Sequence, residues 1–421
     1  MEEIITRCRS CGGENIETFL SLGSVPLAEN LIAEDELDLP EPAFPIELMF
    51  CHDCTFVQLG RAAPPSMIYR PDYHYYSSLI PSMVRLSAEC ADELIRRRNL
   101  GPGSLVMEIG SNDGYMLREF AACGIDVLGI DPALGPAREA ERVGVPTVCE
   151  FFNAALAARL RAEGRRADVI IANNMINLVE NPDDFAAGVR MLLREGGAVV
   201  IQSPYLGRMI DDCVWDMIYH GNVGYFSATA LDGLFRRHGL GMNGVRMLPD
   251  VMGGSLRATF ELEAGPDAAV RRLLDGEDAG GMGRPDYYRR FVSRMAENRN
   301  ELLALIGRKK SRGGRIVAYG AGGGMATTLL CYLGLGRETI DYAVDGNPHK
   351  HGFYTVGSRL PIHPPERLVQ DMPDCVLLLA WNYADEIIAA QKEYLDRGGS
   401  FIIPIPQPRV VSGEPEFSGS V

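Results

Sequence analysis

Short apolar runs that end on acidic or small polar residues alternate with longer amphipathic stretches along most of the chain. The run at 105–109 is mostly apolar without alternation, which predicts a strand buried on both faces of a parallel sheet. The glycine-containing turn 110–114 follows it and leads into a helix. Similar runs at 126–131, 167–174 and 197–205 predict further strands. This order of strands and helices predicts an α/β fold.

A second set of such elements lies in the last third of the chain. Residues 265–284 are rich in glycine, aspartate and proline, which predicts a linker. A long amphipathic helix that ends near Lys310 comes next, followed by a strand and a glycine turn at 315–324. Further strands are predicted at 340–345 and 375–382. We therefore expect a second Rossmann-like domain at the C-terminal end.

The first glycine turn has the features of a nucleoside pocket. Gly110 and Gly114 let the backbone pass close to a bound ligand, where a side chain would collide. Asp131 ends the next predicted strand, and its carboxylate is suited to accept hydrogen bonds from ribose hydroxyls. A glycine turn in another doubly wound domain would look similar, so these three residues alone leave the ligand open.

The order Glu-x-Gly-x-x-x-Gly followed by an aspartate resembles the pocket of class I S-adenosylmethionine (SAM) methyltransferases more than a dinucleotide site. The resemblance implies a Rossmann-like core with SAM as cofactor. It places the cofactor against seven residues, namely Glu108, Gly110, Ser111, Asn112, Gly114, Asp131 and Asn173.

Four of the ten cysteines lie in two C-x-x-C pairs about 40 residues apart, Cys8 with Cys11 and Cys51 with Cys54. Two such pairs can supply four thiolates to one tetrahedral zinc ion. A redox role is the weaker interpretation, because the two pairs together suit a zinc ribbon. With all four positions filled by protein, the zinc is expected to be structural and to fold a domain too small to be stable alone.

Length and charge narrow the class of protein. A chain of 421 residues is expected to form two or three domains, and a formal net charge of −15 argues against a nucleic-acid partner. A small phosphorylated ligand would need only a few cations, such as Arg257 or Lys350. The absence of a long apolar run and of a basic, apolar leader predicts a cytoplasmic protein without a membrane partner. We expect a monomer or a weak homo-oligomer.

Several further motifs occur in a fixed order around the SAM pocket. Between the cysteine pairs stands Leu-Gly-x-x-Pro-Leu-Ala-x-Asn at 22–30, and the second pair continues as C-x-x-C-x-x-x-Gln-Leu at 51–59. A tyrosine-rich stretch follows, with Tyr69 and the run 73–78. The set resembles the zinc-containing sugar C-methyltransferases of deoxysugar biosynthesis, and the resemblance extends over nearly the whole chain.

The resemblance implies SAM-dependent methylation at C3 of a nucleotide-linked 4-keto-deoxysugar, with thymidine diphosphate as the nucleotide. It implies three parts: a zinc-binding domain at 1–75, a methyltransferase domain at 76–265 and a C-terminal Rossmann-like domain at 285–421 that encloses the substrate. Substrate contacts are expected from Asn177, Arg257, Tyr319 and Lys350.

The catalytic positions depart from the pattern of this family. Where the family has Tyr-His-Glu-His, the chain has Tyr219-His220-Gly221-Asn222, and a second histidine position is Asn177. A third, ahead of Gly-Gly-Ser, is Met252. Asparagine can hydrogen-bond an enolate oxygen but cannot act as a base near neutral pH. The candidate catalytic residues are therefore Tyr219, His220, Asn222 and Tyr76.

Three interpretations of function remain open from the sequence. C-methylation could continue with Tyr219 or His220 assisting, or the chain could methylate oxygen or nitrogen of an acceptor that needs no histidine. A member that binds SAM and a nucleotide sugar without methyl transfer is the second interpretation, in which His220 is a structural histidine. A nicotinamide site at the second glycine turn, with Asp345 on a ribose, is the third.

Overall fold

The computed structural model describes residues 4–28, 30–68, 75–249 and 251–413. Tyr69 and the first two residues of the run 73–78, Tyr73 and His74, lie outside this described part. The N-terminal elements are strands β1 (Ile16–Pro26), β2 (Ala43–Cys51) and β3 (Val57–Leu59) and helix α1 (Pro65–Ile68). The strands pair antiparallel, from Ile16 opposite Cys51 to Pro26 opposite Ala43.

The central region contains a seven-stranded sheet in the order β10-β11-β8-β7-β4-β5-β6. Strands β8, β7, β4, β5 and β6 are parallel, and β11 and β10 extend the sheet antiparallel. Its elements are α2 (Pro81–Arg98), β4 (Leu105–Ile109), α3 (Leu117–Ala122), β5 (Asp126–Ile130), α4 (Leu134–Arg142), β6 (Thr147–Val148), α5 (Ala154–Ala162), β7 (Ala167–Asn173), α6 (Pro182–Leu192), β8 (Leu193–Pro204), α7 (Leu206–Asp211), β9 (Gly224–Tyr225), α8 (Ala228–Arg236), β10 (Leu240–Leu248) and β11 (Ser255–Leu262).

The linker predicted at 265–284 is wrong, because helix α9 (Ala268–Gly280) occupies most of it. Its buried Glu277 accepts hydrogen bonds from the Tyr205 hydroxyl at 2.8 Å and from the backbone amides of Ala228 and Thr229 at 2.6 and 2.8 Å. The carboxylate thus satisfies amide groups left free at the start of α8. Glycine and aspartate dominated the local composition, but a capping Asp267 and this buried carboxylate stabilise a helix.

The C-terminal region begins with a long helix and forms a second, six-stranded sheet in the order β14-β13-β12-β15-β16-β17. All neighbours pair parallel except β16 with β17. Its elements are α10 (Pro285–Lys310), β12 (Ile316–Tyr319), α11 (Gly324–Leu333), β13 (Ala343–Val344), β14 (Ile362–His363), α12 (Arg367–Asp371), β15 (Cys375–Leu378), α13 (Ala384–Ala390), α14 (Lys392–Asp396), β16 (Ser400–Ile403) and β17 (Arg409–Ser412).

The three regions share apolar contacts. One buried cluster combines Phe50 of β2, Trp215 of the central region, Phe291 of α10 and Leu329 of α11. Strand β9, although it belongs to the central region by sequence, completes the N-terminal sheet by pairing with β3, where Val57 lies opposite Tyr225. The small N-terminal sheet is therefore stabilised largely through its neighbours. None of the described helices is long and apolar enough to cross a membrane.

Candidate active site and metal centre

A cleft of about 640 Å³ is lined by residues at strand ends of both the seven-stranded and the six-stranded sheet. Gly110 and Asp131 follow the carboxyl ends of β4 and β5, Asn173 is the last residue of β7, and all three line one side. Gly320 and Asp345 follow the ends of β12 and β13 and line the other side. Ligands of α/β proteins bind at the carboxyl ends of strands, so both sheets contribute their usual ligand-binding edge to one cleft.

Asp131 has the position expected of a ribose acceptor. Its Oδ2 accepts a hydrogen bond from the Asn112 amide at 2.8 Å, and its Oδ1 accepts one from the Ala133 amide at 2.9 Å. Burial raises the pKa of this carboxyl to about 6, so it is mostly ionised at neutral pH. The remaining lone pairs of the carboxylate can accept from a ligand hydroxyl.

Glu108 lies behind the cleft rather than on its surface. It is fully buried, and its Oε1 accepts a hydrogen bond of 3.3 Å from the Asn173 side-chain amide, while Oε2 has no partner among the described residues. Burial raises the pKa of the carboxyl well above its usual range. Asn173 lines the cleft, so Glu108 contacts a cleft residue without reaching the cleft itself.

Two of the seven predicted cofactor residues shape the turn without lining the cleft. A Cβ on Gly114 would lie 3.1 Å from Val145, and the residue has φ of 75°, so glycine is needed for the turn and its packing rather than for a ligand. Ser111 is buried against β5, because a Cβ on Gly129 would come within 2.5 Å of its hydroxyl. Gly110 and Asn112 do line the cleft, as predicted.

These residues fit SAM on the evidence of their polar atoms. An ionised aspartate at the end of β5 suits ribose hydroxyls, and Oδ1 of Asn173, which lines the same cleft and has no partner in the described structure, suits a donor of the ligand. Phe151, Phe152 and Asn153 line the same side of the cleft and offer apolar area for an adenine ring. SAM combines these groups in one molecule.

His220 and Tyr219 line the cleft between its two sides. The His220 ring is 1% exposed, and its Nε2 lies 2.9 Å from the Phe44 carbonyl oxygen of β2. A carbonyl can only accept, so Nε2 carries the proton and Nδ1 has a free lone pair, with no partner among the described atoms. Burial lowers the pKa of the imidazole, which keeps it neutral at pH 7.

Asn222 lies behind Asn177 and does not line the cleft. Its Nδ2 donates to the Met217 carbonyl at 2.8 Å, and its Oδ1 accepts from Nδ2 of Asn177. Asn177 lines the cleft, with Oδ1 unpartnered in the described structure. Asn222 thus contacts a cleft residue without lining the cleft itself, and its catalytic role stays a prediction.

Three other predicted site residues are not brought to the cleft surface. Arg257 of β11 donates twice to Gln202 of β8, at 2.8 and 3.2 Å, so its charge is used within the sheet. The Tyr319 ring packs in the apolar cluster on the far face of the C-terminal sheet, where burial raises its pKa to about 12. Tyr76 packs its ring 5.3 Å from that of His349, while its neighbour Tyr75 lines the cleft.

The C-terminal side of the cleft combines a helix N-terminus with a lysine. Gly324 and Met325, the first residues of α11, line it together with Lys350. The Lys350 ammonium donates to the Ala321 carbonyl at 2.7 Å and lies 3.2 Å from Oδ2 of Asp345. Of the residues predicted to contact the substrate, Lys350 is the one that lines the cleft on this side.

Asp345 was the residue expected to hold a ribose in the nicotinamide interpretation. Its carboxylate already accepts from the Ala321 and Asn347 amides, each at 2.8 Å, and from Lys350. Among the described residues, its Oδ1 accepts only the Asn347 amide and keeps a lone pair, while Oδ2 takes the Ala321 amide and the ion pair with Lys350, in which both side chains are mostly buried. The contacts of Asp345 therefore do not single out a ribose as its ligand, and the nicotinamide interpretation stays a prediction.

Cleft residues that the sequence did not single out are Tyr75, Asn174, Met175 and Tyr383. Asn174 has a left-handed backbone, with φ of 50°, directly after β7. Tandem asparagines at a strand end were a usable signal, because asparagine tolerates this conformation better than most residues. Tyr75 could not be separated from the adjacent tyrosines by sequence alone.

The four cysteines Cys8, Cys11, Cys51 and Cys54 form a compact cluster, with sulfur atoms all within 4.8 Å of one another. The Cys8–Cys54 and Cys11–Cys51 sulfur distances are 3.6 and 3.7 Å. Four sulfurs about 2.3 Å from a tetrahedral zinc lie roughly 3.8 Å apart, so the cluster fits this ion. All ligands come from the protein, which marks the site as structural.

The zinc cluster is also tied to the rest of the chain. Gln58, the glutamine of the second cysteine motif, accepts a hydrogen bond from the Arg9 amide at 2.9 Å, which holds the first pair against β3. The Arg237 guanidinium near the end of α8 donates to the backbone and side-chain oxygens of Ser10. Zinc binding thus stabilises the sheet that contains Phe44, the partner of His220.

Comparison with known families gives matches along most of the chain. Residues 8–69 match a zinc binding domain, residues 84–242 a methyltransferase domain, and residues 250–406 the C-methyltransferase C-terminal domain. The C-methyltransferase NovU of Streptomyces niveus is 34% identical over 414 residues, which cover 97% of this chain and 98% of NovU.

Several solved methyltransferase structures resemble less than half of the chain. Magnesium protoporphyrin IX methyltransferase of Synechocystis PCC 6803 is 15% identical, with a TM-score of 0.33 over 42% of this chain and 78% of its own. The methyltransferase CcbJ of Streptomyces caelestis, also 15% identical, has a TM-score of 0.33 over 42% and 90% of the two chains. These likenesses are too distant to carry an argument about the site. The matched domains and the full-length similarity to NovU show that the chain belongs to the C-methyltransferase family, as a SAM-dependent enzyme with a zinc-binding domain.

Proposed function

We propose that this C-methyltransferase transfers the methyl group to the carbon next to the ketone of a nucleotide-linked deoxysugar, with a thymidine diphosphate carrier. The observation that carries the proposal is the position of His220 and Tyr219 in one cleft between the SAM side and the C-terminal side. In this proposal residues 76–265 bind SAM and residues 285–421 enclose the nucleotide sugar. Residues 1–75 support His220, the proposed catalytic base.

The cofactor side is made of residues that accept hydrogen bonds. Asp131 accepts ribose hydroxyls, while Asn173, oriented by Glu108, lies at the end of the neighbouring strand. Gly110 has a φ of 74°, and a Cβ there would lie 3.2 Å from Met175, so glycine is needed for the turn that brings the backbone to the cleft. When bound, SAM supplies an electrophilic methyl group.

His220 is the proposed base that removes the proton from the carbon to be methylated. Its Nε2–H bond to Phe44 fixes the tautomer, and Nδ1 is left with the lone pair. The lowered pKa keeps this nitrogen unprotonated at neutral pH, which is the form a base requires. The histidines that the related pattern has at 177 and 222 are not needed if His220 takes this role.

The negative charge that forms on the ketone oxygen needs donors. The Tyr219 hydroxyl is one candidate, and the ring lies against Gly324 so closely that a Cβ there would come within 2.3 Å of it. Asn177 is the second candidate, because one of its two amide hydrogens binds Asn222 and the other remains for a ligand. Donors held at an enolate oxygen stabilise the transition state of proton removal.

The diphosphate is proposed to bind on the C-terminal side. The first amides of α11 have no partner within the helix and attract anions, and Gly324 and Met325 both line the cleft. Lys350 adds a cationic group that also lines it. A few local positive groups suffice for a small phosphorylated ligand in a chain of net charge −15.

The test is mass spectrometry of the purified full-length chain with SAM and a panel of thymidine-diphosphate 4-keto-deoxysugars in deuterated water. We expect the mass gain of one methyl replacing hydrogen, located at carbon, and deuterium in sugar recovered before methylation. Replacing SAM with S-adenosylhomocysteine should leave deuterium exchange without methyl gain. Methyl on oxygen or nitrogen, or SAM binding with neither signal for any sugar, would contradict the proposal.

A further inference from the structure

Asn112 adopts a conformation that usually belongs to glycine. Its φ of 49° is left-handed, in the middle of the cofactor turn between Gly110 and Gly114. The glycine turn of the C-terminal sheet has Gly322, with φ of 75°, at the equivalent place two residues after its first glycine, Gly320. An asparagine where the same chain elsewhere uses glycine indicates that the side chain has a function of its own.

The Asn112 side chain binds a neighbouring segment on both of its polar atoms. Its Oδ1 accepts from the Ser77 amide at 2.8 Å, and its Nδ2 donates to the Tyr75 carbonyl at 3.0 Å. The next residue, Asp113, accepts from the Ser78 amide at 3.2 Å. Three hydrogen bonds thus join the cofactor turn to residues 75–79, called the strap segment here.

The strap segment reaches from the cofactor turn to the opposite side of the cleft. Tyr75 and Ser77 line the cleft, and the Tyr76 ring packs against His349, next to Lys350. The backbone amide of Asn112 meanwhile donates to Asp131, the ribose acceptor. One residue therefore contacts both Asp131, the proposed ribose acceptor, and a segment that lines the cleft.

We propose that Asn112 is a positioning residue that couples SAM binding to closure of the strap segment over the cleft. A ligand bound to Asp131 stabilises the cofactor turn 110–114. It thereby also fixes Oδ1 and Nδ2 of Asn112, the two atoms that bind the strap segment. By thermodynamic linkage, the closed strap favours SAM by the same factor. The proposal concerns cofactor binding and is independent of the acceptor that the enzyme methylates.

The test compares Asn112→Gly with the wild-type full-length protein by calorimetric titration of SAM and S-adenosylhomocysteine. Glycine suits the backbone conformation, so we expect the variant to fold with a slightly lowered Tm and a Kd raised about tenfold, from the loss of two hydrogen bonds. Hydrogen exchange at Ser77 and Ser78 should slow on adding SAM to the wild type and stay fast in the variant. Wild-type affinity or wild-type protection in the variant would overturn the proposal.

A control and a double variant separate positioning from general effects. Asn99→Gly makes the same change at an exposed left-handed residue, the C-cap of α2, and should leave SAM affinity unchanged. Tyr75→Ala should weaken SAM, and combining it with Asn112→Gly should add little. If the factors by which the two single variants weaken SAM binding multiply in the double variant, the two residues act independently and the proposed coupling is overturned. If Asn112→Gly does not fold, Asn112→Asp is the second variant: it keeps the acceptor for Ser77 and sets a carboxylate oxygen against the Tyr75 carbonyl, so SAM affinity should fall, and wild-type affinity there would equally overturn the proposal.

Discussion

The Trp381 indole nitrogen donates a hydrogen bond of 2.6 Å to Oδ2 of Asp216. The bond joins the end of β15 in the C-terminal sheet to the segment that leads into Tyr219 and His220. Asp216 is fully buried, and burial raises the pKa of its carboxyl from 3.8 to about 7. The attachment between the two sides of the cleft thus includes a group that titrates near neutral pH.

The raised pKa of Asp216 predicts that the difference in stability between the wild type and Asp216→Asn changes with pH. Between pH 4 and 7 the folded state binds this proton more tightly than the unfolded state, so the contribution of Asp216 falls as the pH rises through about 7. Asp216→Asn keeps an acceptor for Trp381 and has no ionised form. The Tm of the variant minus the Tm of the wild type should therefore be larger at pH 8.5 than at pH 5. A difference that does not change with pH would contradict the assignment.

Removal of one zinc ligand should release the metal and destabilise the N-terminal sheet. Cys11→Ser leaves three thiolates, which no longer complete the tetrahedral site. Zinc content measured by elemental mass spectrometry should fall well below one per chain, and Tm should drop. Cys123→Ser, at an exposed cysteine outside the cluster, should keep full zinc. Full metal content and unchanged melting in Cys11→Ser would refute the structural site.

Asp131→Ala should weaken SAM binding by about 1–3 kcal/mol, because a buried acceptor for the ribose is lost. The wild-type affinity should also fall as the pH drops below about 6, where the carboxyl becomes protonated. Titration calorimetry at pH 5.5 and 7.5 measures both effects. Asp126→Ala, at the exposed start of β5, is the matched control. An affinity that neither the mutation nor the pH changes would show that Asp131 does not contact the ribose.

His220→Gln should separate cofactor binding from proton removal. Glutamine retains an N–H donor but has no basic nitrogen, so deuterium exchange and methyl transfer should fall about 10²–10⁴-fold. SAM affinity should stay near that of the wild type. The acid limb of the wild-type rate profile should lie below pH 6.5, since the pKa of His220 is lowered. Undiminished exchange in the variant would show that another group is the base.

The local sequence carried enough information for the metal site and the cofactor turn. Spacing alone brings Cys8 and Cys11 into one knuckle, and a mostly apolar run that ends at a glycine turn predicts the buried strand found before Gly110. The order of motifs identified the family, which the full-length similarity to NovU confirmed. These features depend on residue spacing and on the order of motifs along the chain, so they can be predicted without knowledge of the tertiary structure.

The linker interpretation of 265–284 failed because a distant contact outweighed composition. Helix α9 is stabilised by hydrogen bonds from Tyr205, Ala228 and Thr229 to Glu277, about 50 to 70 residues away in sequence. Likewise, Arg257 carries a charge suited to phosphate, but its register in β11 places it against Gln202. Strand register decides which face a side chain occupies, and local sequence constrains it weakly.

The sequence by itself determined the parts of this protein: a four-cysteine zinc site, a SAM-binding turn, two Rossmann-like sheets and membership of the family. Tertiary structure alone decided how they cooperate. It placed Phe44 of the N-terminal sheet against His220, which selects the tautomer, and it set Asn222 behind Asn177 rather than at the cleft. Such relationships depend on the packing of segments some 45 to 180 residues apart, where the geometry of the whole fold fixes each contact.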